Sequence, residues 1–572
     1  MRARARALRA FARYRAGRLR ERVVRWSDPV RDRSDPARRR YFPADLDRLD
    51  GYRDHFVATA RVFEPFLDRC AGIGSGGAGS GGGQTTAVVV MPWFGTPGPW
   101  QAVALGLGLA RRGCEVTFVW HDLPFPEPST FTDRQNEEIG RVLRRLRRRF
   151  PVVRLGDVPV RTALEPADHE VVDELASQNL TWAVRAAADL DPDDERLRAR
   201  MRASLAATLP KVRGVVEGRG PATVVVPGGV LAGSGCYLAA GREAGVRVAT
   251  YDAGLGWAIV GTNGVAAQQT DLARAFTTLW DDPAIDAAGL IDTARAEFER
   301  RRSGDDQTGY QHPRPGAAAR STTALPAGSG SAPGHAILIP LSVPFDTAAL
   351  GRHHLFEDTR AWLVQTIGVL LEQTRDPIVV RQHPSERRPE ERSRFDVAAV
   401  LRSAFGSNPQ VELIAADDPA NTYDLVEASR LVLPFVSTIG IEAAALGKPV
   451  VVSGAVYYAG LGFVRAPTSR GEYLDVICRG ARGELDPLPH QTDRAWVCYY
   501  VNAVCQRVWT NFTGQPPDFW RWVTRTPDDL YNDPAVADMI TAIVDDVPLP
   551  VVRHRRSVAA VPGARVVTPR DP

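Results

Sequence analysis

Apolar runs of four to six residues, rich in valine and isoleucine, recur along the chain and alternate with stretches whose apolar positions return every three or four residues. "TAVVVM" is followed by "PWQAVALGLGLARRG" and "CEVTFVW", and "ATVVVPGG", "GCYLAAGREAG" and "VRVATYDAG" repeat the pattern. Short apolar strands alternating with helices predict βαβ units on a parallel sheet covered on both faces. A second series starts at "HAILIPL" and passes a helix around Trp362 to Glu372. It continues through "DPIVVRQHP", a charged helix, "QVELIA", "SRLVLPFV", "STIGIEAAALG" and "KPVVVSG". This predicts a second doubly wound domain. The fold class is therefore α/β, with two Rossmann-like domains facing a cleft and ligands beyond the carboxyl ends of the strands.

The segments between these series set the expected boundaries. A basic helical arm covers residues 1–72, with an amphipathic helix over Asp45 to Cys70, and a Gly/Ser tether covers 73–84. The first Rossmann-like domain covers 85–305. A Pro/Gly/Ser linker at 306–334, too poor in apolar residues to pack, precedes the second domain at 335–490. Helices rich in Trp and Tyr follow over 491–548, and residues 549–572 read as a disordered tail. The aromatic residues from Trp496 to Trp509 are expected in core packing.

Charge changes this picture at one end only. Residues 1–40 hold 15 arginines against Glu21, Asp28, Asp32 and Asp35, so the rest of a chain with net charge +4 is net negative. Leu8, Phe11, Leu19, Val23 and Trp26 would share a helical face there, suited to an anionic membrane surface or to a solvated basic helix. Only two lysines occur, Lys211 and Lys448, among 71 basic residues. The arginine content thus reflects composition rather than nucleic-acid binding, for which no module is present. Arginines interrupt every short apolar stretch near the start, so no secretory signal is expected. The uncharged run Gln84 to Ala110 carries prolines and glycines that make it strand, loop and helix. Six cysteines without CxxC pairs read as reduced core residues of a cytoplasmic protein, possible metal ligands being absent from their spacing.

Two elements can carry chemistry. Gln-His-Pro occurs at Gln311 and again at Gln382, and only the second copy follows an apolar strand. Pro384 pushes His383 into extended backbone, which presents the imidazole at the strand's carboxyl end to a phosphate; alternatively the ring bonds to local backbone. In "LPFVSTIGIEAAALGKPVVV" the strand runs into Ser437 and Thr438, suited to cap a helix whose amino end favours a phosphate. Gly440 would let a ligand approach the first turn, and Glu442 would accept from ribose hydroxyls. Lys448 reads as the end of that helix and the start of a strand.

"RQHPSER" followed some fifty residues later by "STIGIEAAALGKPVVV" resembles the capsule polysaccharide biosynthesis proteins, which include capsule Kdo transferases and are related to bacterial polysialyltransferases. The resemblance covers roughly Ala336 to Phe463, and more loosely Thr86 to Thr270. It implies a GT-B fold, a nucleotide-activated sugar held by the C-terminal domain, no cofactor and no essential metal. His383 with Pro384, and Ser437 with Thr438, would bind the nucleotide's phosphate. The same resemblance directs attention to "VATYDAGLGW", where Asp252, followed by Gly254, would be the general base. By position in the GT-B plan, Trp93, Gly95 and Trp100 of "MPWFGTPGPW", and Asp346 and Thr347 of "PLSVPFDTAALGRHH", would contact substrates.

The function expected is a metal-independent glycosyltransferase using a CMP- or UDP-linked donor and a glycan or glycolipid acceptor in capsular or cell-surface polysaccharide assembly. It would be cytoplasmic and peripheral on the inner face of the membrane. A polyol-phosphate transferase and a non-catalytic scaffold of capsule assembly are the alternatives.

Overall fold

A computed structural model describes residues 63–70, 84–93, 97–126, 131–160, 162–253, 257–303, 335–388, 391–510 and 524–559. The basic arm up to residue 62, most of the Gly/Ser tether, the 306–334 linker, Gly95, Gly254 and the chain beyond 559 lie outside them.

The first sheet has seven strands: β1 (Thr85–Val90), β2 (Glu115–Trp120), β3 (Val152–Arg154), β4 (Thr223–Pro227), β5 (Arg247–Ala253), β6 (Trp257–Gly261) and β11 (Val508–Trp509). Their order is β11-β6-β5-β4-β1-β2-β3. The strands from β5 through β4, β1 and β2 to β3 are parallel, whereas β6 pairs antiparallel with β5, and β11 antiparallel with β6. The second sheet, β7 (Ala336–Pro340), β8 (Ile378–Arg381), β9 (Val411–Ile414) and β10 (Ser429–Val432), is all parallel in the order β10-β7-β8-β9. These are two doubly wound domains, as the alternating pattern predicts, in the GT-B arrangement that the resemblance implies.

Burial explains the strand composition. Val88 and Val90 of β1 face one core, Ala87 and Val89 the other, and all are at most 3% exposed. The run through Ala110 becomes β1 and then the helix Gly98–Arg111. That helix is buried nearly all round because a second layer covers it: a Cβ on Gly108 would lie 2.2 Å from Ile540 Cδ1. Among the described residues no helix is long and apolar enough to cross a membrane.

The chain crosses between the domains more often than its pattern suggests. Helices Leu272–Asp281 and Ala287–Arg302 pack in the second domain, where Phe276, Leu279 and Phe298 share a core with Leu338, Val379 and Trp496. Phe298 meets Trp496 edge to face at 5.5 Å. At the other end, Val536, Met539, Ile540, Ile543 and Leu549 return to the first domain and join Phe63, Phe66 and Trp100. Leu549–Ala559 is a helix, where the sequence reads as a disordered tail, because Leu549 and Val551 find buried places in the two cores. The two crossings meet where Asn502 Nδ2 donates to Gln269 Oε1 at 3.2 Å.

Candidate active site

The carboxyl ends of the second sheet gather the proposed phosphate ligands on one edge. His383 follows β8 and Ser437–Thr438 follow β10. The strand between them, β7, leads into the segment holding Asp346 and Thr347. Two strand spacings, about 10 Å, therefore separate the β8 and β10 axes, a gap that inward-reaching side chains and a phosphorylated ligand can span.

His383 has extended backbone, φ −62° and ψ 127°, as a residue before proline should. Its Nδ1 accepts from the Ser385 main-chain N–H at 3.2 Å and lies 2.8 Å from Ser385 Oγ. A main-chain N–H can only donate, so Nδ1 carries no proton and Nε2–H is left to donate outward. Burial pushes the imidazole down to about 4, with Arg381 and Arg388 adding to the fall and Glu391 opposing it. The ring is thus a neutral hydrogen-bond donor at pH 7 rather than a full charge. The residues after Pro384 form a 3-10 turn, Pro384–Arg387, and the helix expected from there begins only at Val397, running to Phe405. The buried Glu386 carboxylate accepts from Ser393 N (3.1 Å) and Oγ (2.5 Å).

Arg381, which sequence reasoning passed over, is 3% exposed and donates to the carbonyls of Ala415, Asp418 and Ala420. The positive charge of the guanidinium acts on His383 and favours its neutral form. Its signal was legible as the one charged residue closing the run "IVVR".

Thr438 caps the helix Ile439–Ala445 by position, and its side chain makes no capping bond. Ser437 Oγ accepts from Ile439 N at 3.4 Å, while Gly440 N and Ile441 N donate to the carbonyls of Ser437 and Thr438. The helix end consequently offers fewer free N–H groups than expected, and Thr438 is exposed while Ser437 is half-buried. Gly440 has a reason other than ligand approach. A Cβ there would lie 2.3 Å from Tyr458 Oη, which donates to the Ser437 carbonyl at 2.7 Å and so holds the loop. Gly440→Ala should therefore lower stability by about 1–3 kcal/mol, measurable by urea unfolding, as overpacking of a filled site does. Glu442 is 6% exposed, within electrostatic range of Tyr458 and Tyr499.

Asp252 lies at the end of β5, opposite Ile259 of β6 in a hairpin that the sequence pattern did not announce. Its Oδ1 accepts from Ala253 N at 2.8 Å. Burial pushes the carboxyl up to about 6; the Ala253 bond opposes this and the charge of Asp346 adds to it. Asp346, exposed to water yet ringed by protein, is itself raised by desolvation, lowered by the Ala348 N–H and raised by Glu391. Glu391 also acts on His383. Asp346 of the second domain thus acts electrostatically on Asp252 of the first, and Glu391 acts on both Asp346 and His383.

The remaining expected contacts divide. Trp93 is half-buried after β1; its N–H donates to Gln135 Oε1 at 2.7 Å, and its ring packs with Val230, Leu231 and Leu350 where the domains meet. Thr347 is half-buried in the same region, its carbonyl accepting from Gln268. Trp100, in contrast, is 0% exposed and stacks on Phe63 at 5.2 Å, so no sugar reaches it. All six thiols are free.

A family model described as capsule polysaccharide biosynthesis protein matches residues 329–470, which contain β7, β8, β10, His383, Ser437 and Thr438. No curated protein matches the chain by sequence. Among solved structures, the Thermosulfurimonas dismutans KpsC β-Kdo 2,4 transferase is similar over 55% of this chain and 87% of its own, with 16% identity and a TM-score of 0.31. S. aureus MnaA with UDP aligns over 73% and 92%, with 14% identity and a TM-score of 0.23. Acinetobacter baumannii MurG aligns over 76% and 97%, with 12% identity and a TM-score of 0.25. Overlaps this loose fix no residue-by-residue correspondence. The chain is similar, through its second domain, to the capsule polysaccharide biosynthesis proteins.

Proposed function

We propose that the protein is a glycosyltransferase that moves a sugar from a nucleotide-activated donor to an acceptor in capsular or cell-surface polysaccharide assembly. The observation that carries this reading is that Asp252, at the end of β5 in the first domain, feels the charge of Asp346 in the second, where His383 and Ser437–Thr438 follow β8 and β10 at the carboxyl edge of the sheet. A cleft built by two doubly wound domains, with a carboxylate on one side and phosphate-directed donors on the other, suits displacement at a carbon bearing a phosphate.

The donor's phosphate lies at the carboxyl edge of the second sheet. There His383 Nε2–H and the hydroxyls of Ser437 and Thr438 donate to its oxygens, and the Arg381 field favours the charge that grows on it as the sugar leaves. Asp252 takes the proton of the acceptor hydroxyl as that oxygen attacks the anomeric carbon. Its carboxyl, raised to about 6, is still ionised at neutral pH and is a stronger base than an exposed aspartate. Donors with CMP or UDP are the first to test.

Thermal-shift titration of the full chain with CMP, CDP, UDP and GDP tests the reading. A ligand at 100 times its Kd should stabilise the protein by about 2.7 kcal/mol. His383→Ala removes one hydrogen bond to a charged group, worth about 1.5–3 kcal/mol, and should weaken the best nucleotide about 10- to 150-fold. Loss of every nucleotide response in the wild type would overturn the proposal. An unchanged shift in His383→Ala would remove that residue from the phosphate site.

A further inference from the structure

Arg352 lies between the two domains in the segment after β7. Its backbone is pinned to the second domain: its carbonyl accepts from Ala455 N at 2.9 Å, and the adjacent His353 ring stacks on Phe435 at 4.1 Å. Phe435 stands two residues before Ser437, so Arg352 borders the loop that carries Ser437 and Thr438. The turn itself is pressed against the first domain. Gly351 has φ +67°, and a Cβ there would lie 2.4 Å from Gln178 Nε2 on the helix Pro166–Val184.

The guanidinium reaches across the boundary to the first domain, where Nη2 donates to Gln268 Oε1. Gln268 is held in turn. Its Nε2 donates to the carbonyls of Leu350 (3.0 Å) and Thr347 (3.3 Å), and it ends the 3-10 turn Ala266–Gln268. Ala266 N donates to Thr250 Oγ1 at 2.8 Å, two residues before Asp252 and on the same face of β5. The turn Ala266–Gln268 thus ties the donor-side segment, through Gln268, to the strand of the candidate base, through Ala266.

A guanidinium has five N–H donors, and a neutral amide oxygen uses one of them. Other arginines between the domains meet carboxylates, Arg360 with Asp189 and Arg394 with Asp194. Arg352, half-buried, forms no ion pair among the described residues. Burial alone lowers its pKa, with no acidic neighbour to offset it. Holding a cation partly out of water without a counter-charge is unfavourable, so the arrangement favours a bound anion.

We propose that Arg352 is an oxyanion-binding residue of the substrate cleft, with Gln268 aiming its guanidinium across the domain boundary at a phosphate or carboxylate of the bound substrate. The inference deepens the glycosyltransferase reading and rests on it. Planar paired oxygens suit the guanidinium fork, and two sources present them: the nucleotide's phosphate, and a carboxylate borne by the donor or acceptor sugar.

Thermal-shift titrations of the full chain separate the sources, one arm with pyrophosphate, CMP and UDP, the other with glucuronate and N-acetylneuraminate. Wild type, Arg352→Met, Gln268→Ala and His383→Ala are compared. At least one arm should stabilise the wild type. Arg352→Met should weaken that arm about tenfold or more with a ligand-free Tm equal to or above the wild type's, since an unpaired cation has been removed. Gln268→Ala should fall between the two. An Arg352→Met protein that keeps wild-type affinity in both arms overturns the inference, as does a wild type that answers to neither. A lower ligand-free Tm in Arg352→Met would mark a structural tie and also counts against it. If His383→Ala loses the nucleotides while Arg352→Met keeps wild-type affinity in both arms, the inference fails and the glycosyltransferase reading stands. If Arg352-dependent stabilisation by carboxylates appears without any nucleotide response, the reading fails and the inference stands.

Discussion

Asp252→Asn should lower turnover about 10²- to 10⁴-fold, the span that a positioned general base contributes, with little change in donor affinity. The wild-type rate should fall as pH drops through about 6, where the carboxyl takes up its proton, and the variant should lack that limb. Stability should move the other way. Because the folded-state value is raised above the ordinary aspartate value of 3.8, the unfolded chain binds fewer protons between about pH 4 and 6, and wild-type stability declines as pH rises through that window. Asp252→Asn should therefore have a higher Tm than wild type at pH 7 and lose that advantage below about pH 4. A variant with unchanged turnover and no gain in Tm would mean that the carboxylate is neither buried nor basic as described.

Trp100→Ala should cost about 3–5 kcal/mol, the usual penalty for emptying a fully enclosed tryptophan site. The ring is out of reach of solvent, stacked on Phe63 and sharing a core with residues from the C-terminal helices. Denaturant unfolding should show the loss directly. An exposed sugar platform behaves differently: its removal raises KM at an unchanged midpoint. That second pattern would contradict the packing found here.

The alternating strands and helices were legible because both faces of each sheet are covered, and continuous apolar runs follow from that. The backbone of His383 was legible too, since the rule for a residue before proline is steric and local. What escaped depends on tertiary neighbours. The antiparallel strand β6 is an apolar run like its parallel neighbours, and direction leaves no trace in composition. "KPVVVSG" looks like a full strand, yet Val450 and Val451 make single bridges, to Val432 and Arg465. Gly440 reads from sequence as an opening for a ligand, while Tyr458, eighteen residues later, fills that space. Gln268 and Arg352 are 84 residues apart and carry no local motif; only the meeting of the domains makes them partners.

The contact between Asn502 and Gln269 has a mechanical consequence. Because the two passages of chain between the lobes touch there, relative motion of the lobes should turn about that contact more readily than slide. Gln268 adjoins this axis and travels least, whereas the Arg394–Asp194 and Arg360–Asp189 pairs, far from it in sequence and unsupported by the crossings, form a salt-sensitive clasp that raised ionic strength should loosen first.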